Sequence, residues 1–113
     1  MSEEHGIEQR RHPRRAVKWK ALIRNKAKEV TVGRTINVSV SGALIEVPQK
    51  FSMNETVDIQ IQANYLGKIV KILTRAYVRH TVVRTSDFQI GIEFNGLKPE
   101  MEQFLSDFTS GMI

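Results

Sequence analysis

Four arginines stand within six residues, Arg10-Arg11-His12-Pro13-Arg14-Arg15. A guanidinium is planar, stays charged at physiological pH, and carries a fork of donors that fits two oxygens of a phosphate at once. Pro13 removes a backbone donor and biases His12 away from helix, so the cluster reads as an extended arm. Charge is unevenly placed. Residues 1–34 hold ten of the 17 Lys and Arg and four of the 12 Asp and Glu, while the other 79 residues are nearly neutral. Such asymmetry points to an anionic partner: a nucleotide, a nucleic acid or an acidic lipid. A second polar group follows at Asn37-Val38-Ser39-Val40-Ser41-Gly42. Taken singly, each has an ordinary explanation, a basic tail for the first and local turn chemistry for the second.

Other chemistries find no support. His5, His12 and His80 lie far apart with no metal-ligand spacing, and there is no cysteine, which excludes disulfides and thiolate metal sites and suits a reducing cytoplasm. Glycine-rich phosphate loops and a Gly-x-Ser-x-Gly elbow are missing, and Ser39 and Ser41 have no identifiable base, so the chain is not expected to be an enzyme. The start, Met1-Ser2-Glu3-Glu4-His5-Gly6, is polar and lacks the apolar stretch of a secretory signal. The best apolar run, Ile69 to Leu73, is short and broken by Lys71, so no membrane insertion is expected.

The elements that must hold the two clusters are short strands. Residues 1–9 have no periodicity and are expected to form a flexible tail ahead of one domain over 10–113. Val17, Trp19, Ala21 and Ile23 alternate with Lys18 and Lys20, the period of a half-buried strand. A polar turn at Asn25-Lys26-Ala27-Lys28 leads to a second strand beginning with Val30 and Val32 and ending at Ile36, with Asn37 to Gly42 as a loop. Ala43 to Val47 resumes a strand that stops at Pro48. Val57, Ile59, Ile61 and Ala63 share a face, as do Val70, Ile72, Thr74, Ala76 and Val78 in a longer strand over about 67–83, and Phe88, Ile90, Ile92 and Phe94 in a last one. Met101, Phe104, Leu105 and Phe108 form one stripe of a helix over about 99–110, begun at Pro99 and ended before Gly111. The set predicts a mainly β fold, a six-stranded antiparallel barrel with a C-terminal helix and a flexible N-terminal arm.

In this order and context the two clusters resemble the signature of PilZ domains. An Arg-x-x-x-Arg arm, here Arg10 to Arg14, precedes the first strand, and an Asp/Asn-x-Ser-x-x-Gly turn, here Asn37 to Gly42, follows some twenty residues later. Gly91-Ile92-Glu93-Phe94 resembles the family's Gly-hydrophobic-x-Phe strand, and the likeness runs from about Gln9 to the helix.

The resemblance implies that the domain binds the second messenger cyclic di-GMP, takes no other cofactor or metal, and signals by a change of conformation to an unidentified downstream protein. It assigns ligand contacts to Arg10 and Arg14, with Arg11 helping, and to Asn37, Ser39 and Gly42. The residue types suit that ligand: a guanidinium matches phosphate oxygens and the guanine O6/N7 edge, and its flat face stacks on a base. Asn37 offers one acceptor oxygen where an aspartate would offer two, and Gly42 allows close backbone approach. Arg15, Tyr77 and Gly91 are secondary candidates, Arg15 also being placed to start a strand. Gln9 precedes the arginine motif where the family's residue is linked to whether one ligand or a stacked pair binds, and both counts stay open. Two rival readings are a small nucleic-acid-binding barrel with a basic arm and a PilZ domain serving only as a protein-interaction module.

Overall fold

The structure is a computed structural model that describes residues 12–112. The tail over 1–9, together with Arg10 and Arg11, lies outside the described residues. Strand alternation sorts the rest into an inside and an outside. In β4 (Thr56–Tyr65), Val57, Ile59, Ile61 and Ala63 are buried while Asp58, Gln60 and Gln62 stay half exposed. In β1 (Arg15–Arg24), Trp19, Ala21 and Ile23 point inward and Lys18 and Lys20 outward. With β2 (Val30–Val38), β3 (Gly42–Val47), β5 (Lys68–Val83) and β6 (Phe88–Asn95), the strands close into an antiparallel barrel in the order β1-β2-β3-β6-β5-β4. Each strand pairs on both sides over part of its length, and the inward side chains make one apolar core.

Strand β2 departs from simple alternation. Val30 and Val32 are 57% and 55% exposed, while Thr31 and Thr35 face the core. Ile36 is an extra residue between the pairs Thr35↔Ile45 and Asn37↔Leu44, a β-bulge. It returns Val38, opposite Ala43, to the interior and turns Asn37 outward with Leu44. Asn37 and Val38 therefore end a strand, where the sequence pattern predicts a loop from residue 37.

The chain ends in α1 (Pro99–Thr109), with Pro99 in the first turn and Leu105 and Phe108 buried. Met101 and Phe104 pack partly buried against the same core. The Phe108 ring lies 5.0 Å from Trp19 and 5.6 Å from Tyr65, and Phe104 meets Tyr65 edge-on at 6.3 Å. Aromatic faces from β1, β4 and α1 thus fasten the helix to the barrel.

Candidate functional site

The bulge in β2 and the close pairing of β3 with β6 create the surface on which the turn sits. Backbone partners on adjacent strands project to the same side. One outward row runs Asn37, Leu44, Gly91 and His80 across β2, β3, β6 and β5, and a second runs Gly42, Glu93 and Tyr77. The register thus places Tyr77 and Gly91 on the same outer face as Asn37 and Gly42.

The two sequence clusters meet there. Arg14, exposed just before β1, donates from Nη1 to Asn37 Oδ1 at 3.0 Å. Ser39 is buried and its polar atoms build the turn. Its N–H donates to the Gly42 carbonyl at 2.8 Å, and its Oγ accepts from the N–H groups of Ser41 and Gly42 at 3.1 and 3.3 Å. The same Oγ shares a hydrogen bond with Ser41 Oγ at 3.0 Å. The Ser41 carbonyl accepts from Phe94 N–H at 2.9 Å, tying the turn to β6. Gly42 is required by packing: a Cβ there would collide with the Ile92 carbonyl on β6. Its φ is not positive, so the close approach alone explains the glycine. At Gly91 a Cβ would strike the His80 imidazole, which lies over the bare backbone.

Residues that the motifs do not reveal complete the face. Arg79 donates from Nε to Glu93 Oε1 at 2.6 Å and from Nη1 to Asn54 Oδ1 at 2.9 Å, with its guanidinium 4.6 Å from the Tyr77 ring centre. The Tyr77 hydroxyl accepts from Asn95 Nδ2 at 2.9 Å. Arg14, Ser41, Gly42, Arg79, His80 and Glu93 border a shallow depression of about 240 Å³. Alternation after the inward Val78 puts Arg79 on this surface, and a bulge between Val78 and His80 turns His80 outward beside it, a displacement no local sequence pattern announces. Arg15 stands apart: its Nη1 donates to the Phe108 carbonyl at 2.8 Å, and its guanidinium lies 4.0 Å from the centre of the Phe108 ring. The arrangement offers planar cations, an amide and polar backbone on an open surface, a set suited to holding an anionic, hydrogen-bonding ligand.

The comparisons with known proteins agree with this architecture. The family model described as "PilZ domain" matches residues 8–111, and the chain belongs to that family. Among solved structures, the Bacillus subtilis inhibitor of motility MotI/DgrA superposes with a TM-score of 0.82 at 17% identity, covering 91% of this chain and 50% of that one. YcgR from Escherichia coli, in complex with cyclic di-GMP, gives 0.75 at 13% identity, with 92% and 46% covered. The isolated PilZ domain of YcgR with the same ligand gives 0.73 at 12% identity, with 91% and 90% covered. At these identities the likeness is one of fold. The chain spans about half the length of the MotI chain and of the YcgR chain in that complex. No curated protein sequence matches it closely.

Proposed function

We propose that this domain is a cyclic di-GMP receptor that changes conformation on binding and passes the signal to a downstream protein. The observation that carries the reading is the Arg14–Asn37 hydrogen bond, which joins the arginine arm to the Asn-x-Ser-x-x-Gly turn on one outer face. The family, and the two YcgR structures holding cyclic di-GMP in the same fold, support it. The contact also suggests how the ligand enters. Arg14 rests on a neutral amide oxygen, and a phosphate is a stronger partner for a guanidinium than an amide is. The ligand would draw Arg14 away, with Arg10 and Arg11 closing on its phosphates and guanine O6/N7 edge. Asn37 Oδ1, released, would accept from a guanine N–H.

The other candidates take graded roles. Ser39 would act chiefly by holding the turn, since its Oγ already accepts two backbone N–H groups. Gly42 would let β3 close on β6 beneath the ligand, Gly91 would let the His80 imidazole lie flat on the strand, and Tyr77 would offer a ring once the Arg79 guanidinium shifts from its face. Arg15 would hold the start of β1 against α1 and take no part in ligand contact. Gln9 would set whether one ligand or a pair is held.

Calorimetric titration with cyclic di-GMP, with GTP and a short RNA as controls, tests the reading. Heat with cyclic di-GMP alone is expected. Absence of heat at micromolar protein would sink it, and heat with RNA that collapses steeply as salt rises would favour the nucleic-acid alternative.

A further inference from the structure

On the other side of the barrel, β2, β1, β4 and β5 present a different outer surface. Cα pairing aligns Val32, Leu22, Gln60 and Leu73 in one outward row. Val32 and Leu73 are each 55% exposed, and Val30, one step along β2, is 57% exposed. Solvent-facing positions of a strand in a barrel normally carry polar groups, so three exposed branched side chains beside Leu22 are an uncovered apolar patch.

The patch is framed by cations. The next row on one side runs Arg34, Lys20, Gln62 and Lys71, and the row on the other runs Val30, Arg24, Asp58 and Arg75. Asp58 is the single carboxylate in these rows, and it is shared between Arg24 at 3.0 Å and Arg75 at 3.7 Å. Arg34 reaches Glu46 on β3. Lys20 and Lys71 form no ion pair with any described residue. The apolar row therefore lies between two positively charged borders, one of which is largely uncompensated.

We propose that this face docks an acidic protein segment, with an apolar side chain seated among Leu22, Val30 and Leu73 and carboxylates over Lys20 and Lys71. Two observations select that occupant. The charge of the borders calls for an anionic partner. Leu22, Val30 and Leu73, with Gln60 and the paired Arg24 and Asp58, also line a recess of about 280 Å³, so the surface is shaped to receive a protruding side chain. A bilayer would demand the reverse, apolar groups that protrude into lipid, and no exposed tryptophan or phenylalanine occurs among the described residues. The docking face shares no residue with the Asn37–Gly42 turn, and the proposal stands on this geometry whether or not cyclic di-GMP binds.

Selection of a displayed random-peptide library against the full chain tests it. Selected peptides should be rich in Asp and Glu around a leucine, isoleucine or phenylalanine. A synthetic copy should bind roughly tenfold or more weakly to Leu73→Asp and to the Lys20→Glu/Lys71→Glu double variant, the size expected for loss of an anchor contact. Leu73 is exposed, so thermal melting of Leu73→Asp should match the parent and exclude misfolding as the cause. Peptides without carboxylates, peptides whose binding is unchanged in Leu73→Asp, or failure to select any would overturn the proposal. Sedimentation with phosphatidylglycerol/phosphatidylcholine vesicles that is lost in Leu73→Asp would assign the face to membrane instead and overturn it too. Cyclic di-GMP titration of Leu73→Asp should match that of the parent, so failure of the ligand reading and failure of this one are seen separately.

Discussion

Arg14 and Arg15 are neighbours in the chain and serve two different regions. Arg14 reaches across to Asn37 at the polar turn between β2 and β3. Arg15 reaches the last turn of α1, bonding the Phe108 carbonyl and covering the Phe108 ring. The surroundings explain the division. At the turn the guanidinium meets a solvated amide it can leave at little cost. At the helix end it bonds the Phe108 carbonyl, whose backbone donor is the Gly111 N–H at 3.3 Å just past the helix, sits at the negative end of the helix dipole, and lies on an aromatic face. On the proposed function, the first region would exchange partners while the second keeps them.

The sharpest test of the permanent region is Phe108→Ala. Phe108 is buried against Trp19, Tyr65 and Phe104, and its truncation should cost about 3–5 kcal/mol, read by denaturant unfolding. Parent-like stability would mean the helix is an accessory to the barrel. For the exchangeable region the matching change is Arg14→Ala. It should lower cyclic di-GMP affinity by about 1.5–3 kcal/mol, the range for a hydrogen bond to a charged group, and leave unfolding within about 0.5 kcal/mol of the parent. Undiminished affinity would remove Arg14 from the site.

Gly42→Val probes whether the turn is itself permanent. The added side chain meets the Ile92 carbonyl, so β3 and β6 must part, at about 1–3 kcal/mol of stability as for other over-packed positions. A stable variant that fails only to bind would instead make Gly42 a pure ligand position. Arg15→Ala completes the contrast with Arg14→Ala. It loses at least the hydrogen bond to the Phe108 carbonyl and the cation–π contact, so about 1–2 kcal/mol or more of stability should go while the calorimetric affinity stays close to that of the parent. A large affinity loss there would show that arm and helix act as one unit.

Much of this contrast could be read from residue order. The alternation of Val57 to Ala63 placed β4 and its inward face, and the i, i+3, i+4, i+7 stripe placed the helix residues that pack on the core. Nothing local marks the bulge at Ile36, because a bulge exists only relative to the partner strand. Hence the strand ends two residues later than the pattern indicates, and Thr31 and Thr35 face inward while Val30 and Val32 face out. The motif residues Asn37, Ser39 and Gly42 were visible as a group. Arg79, His80 and Glu93 were not, since only the register of β3, β6 and β5 brings them beside Gly42. The different uses of Arg14 and Arg15 were hidden for the same reason: two adjacent arginines look alike until their distant partners, Asn37 and Phe108, are known.

The smallest expected effect lies outside both regions and serves as their control. Arg24 donates to Asp58 at 3.0 Å, and this hydrogen bond, with the nearby charge of Arg24 and then Arg75, holds the Asp58 carboxyl below its ordinary value of 3.8. A carboxyl lowered in the folded state favours folding above its unfolded pKa, and that contribution disappears as the pH falls through the lowered folded value. The pair is open to solvent and screened, so the contribution is modest. Asp58→Asn should therefore bring the stability–pH curve slightly closer to flat between neutral pH and the region below 3.8, as followed by thermal melting across that range. Ligand affinity at neutral pH should not move, because Asp58 lies on the β1–β4–β5 face away from Asn37 and Gly42. A change in affinity with Asp58→Asn would mean that the two outer faces communicate through the barrel, and the separation between exchangeable and permanent contacts would then have to be redrawn.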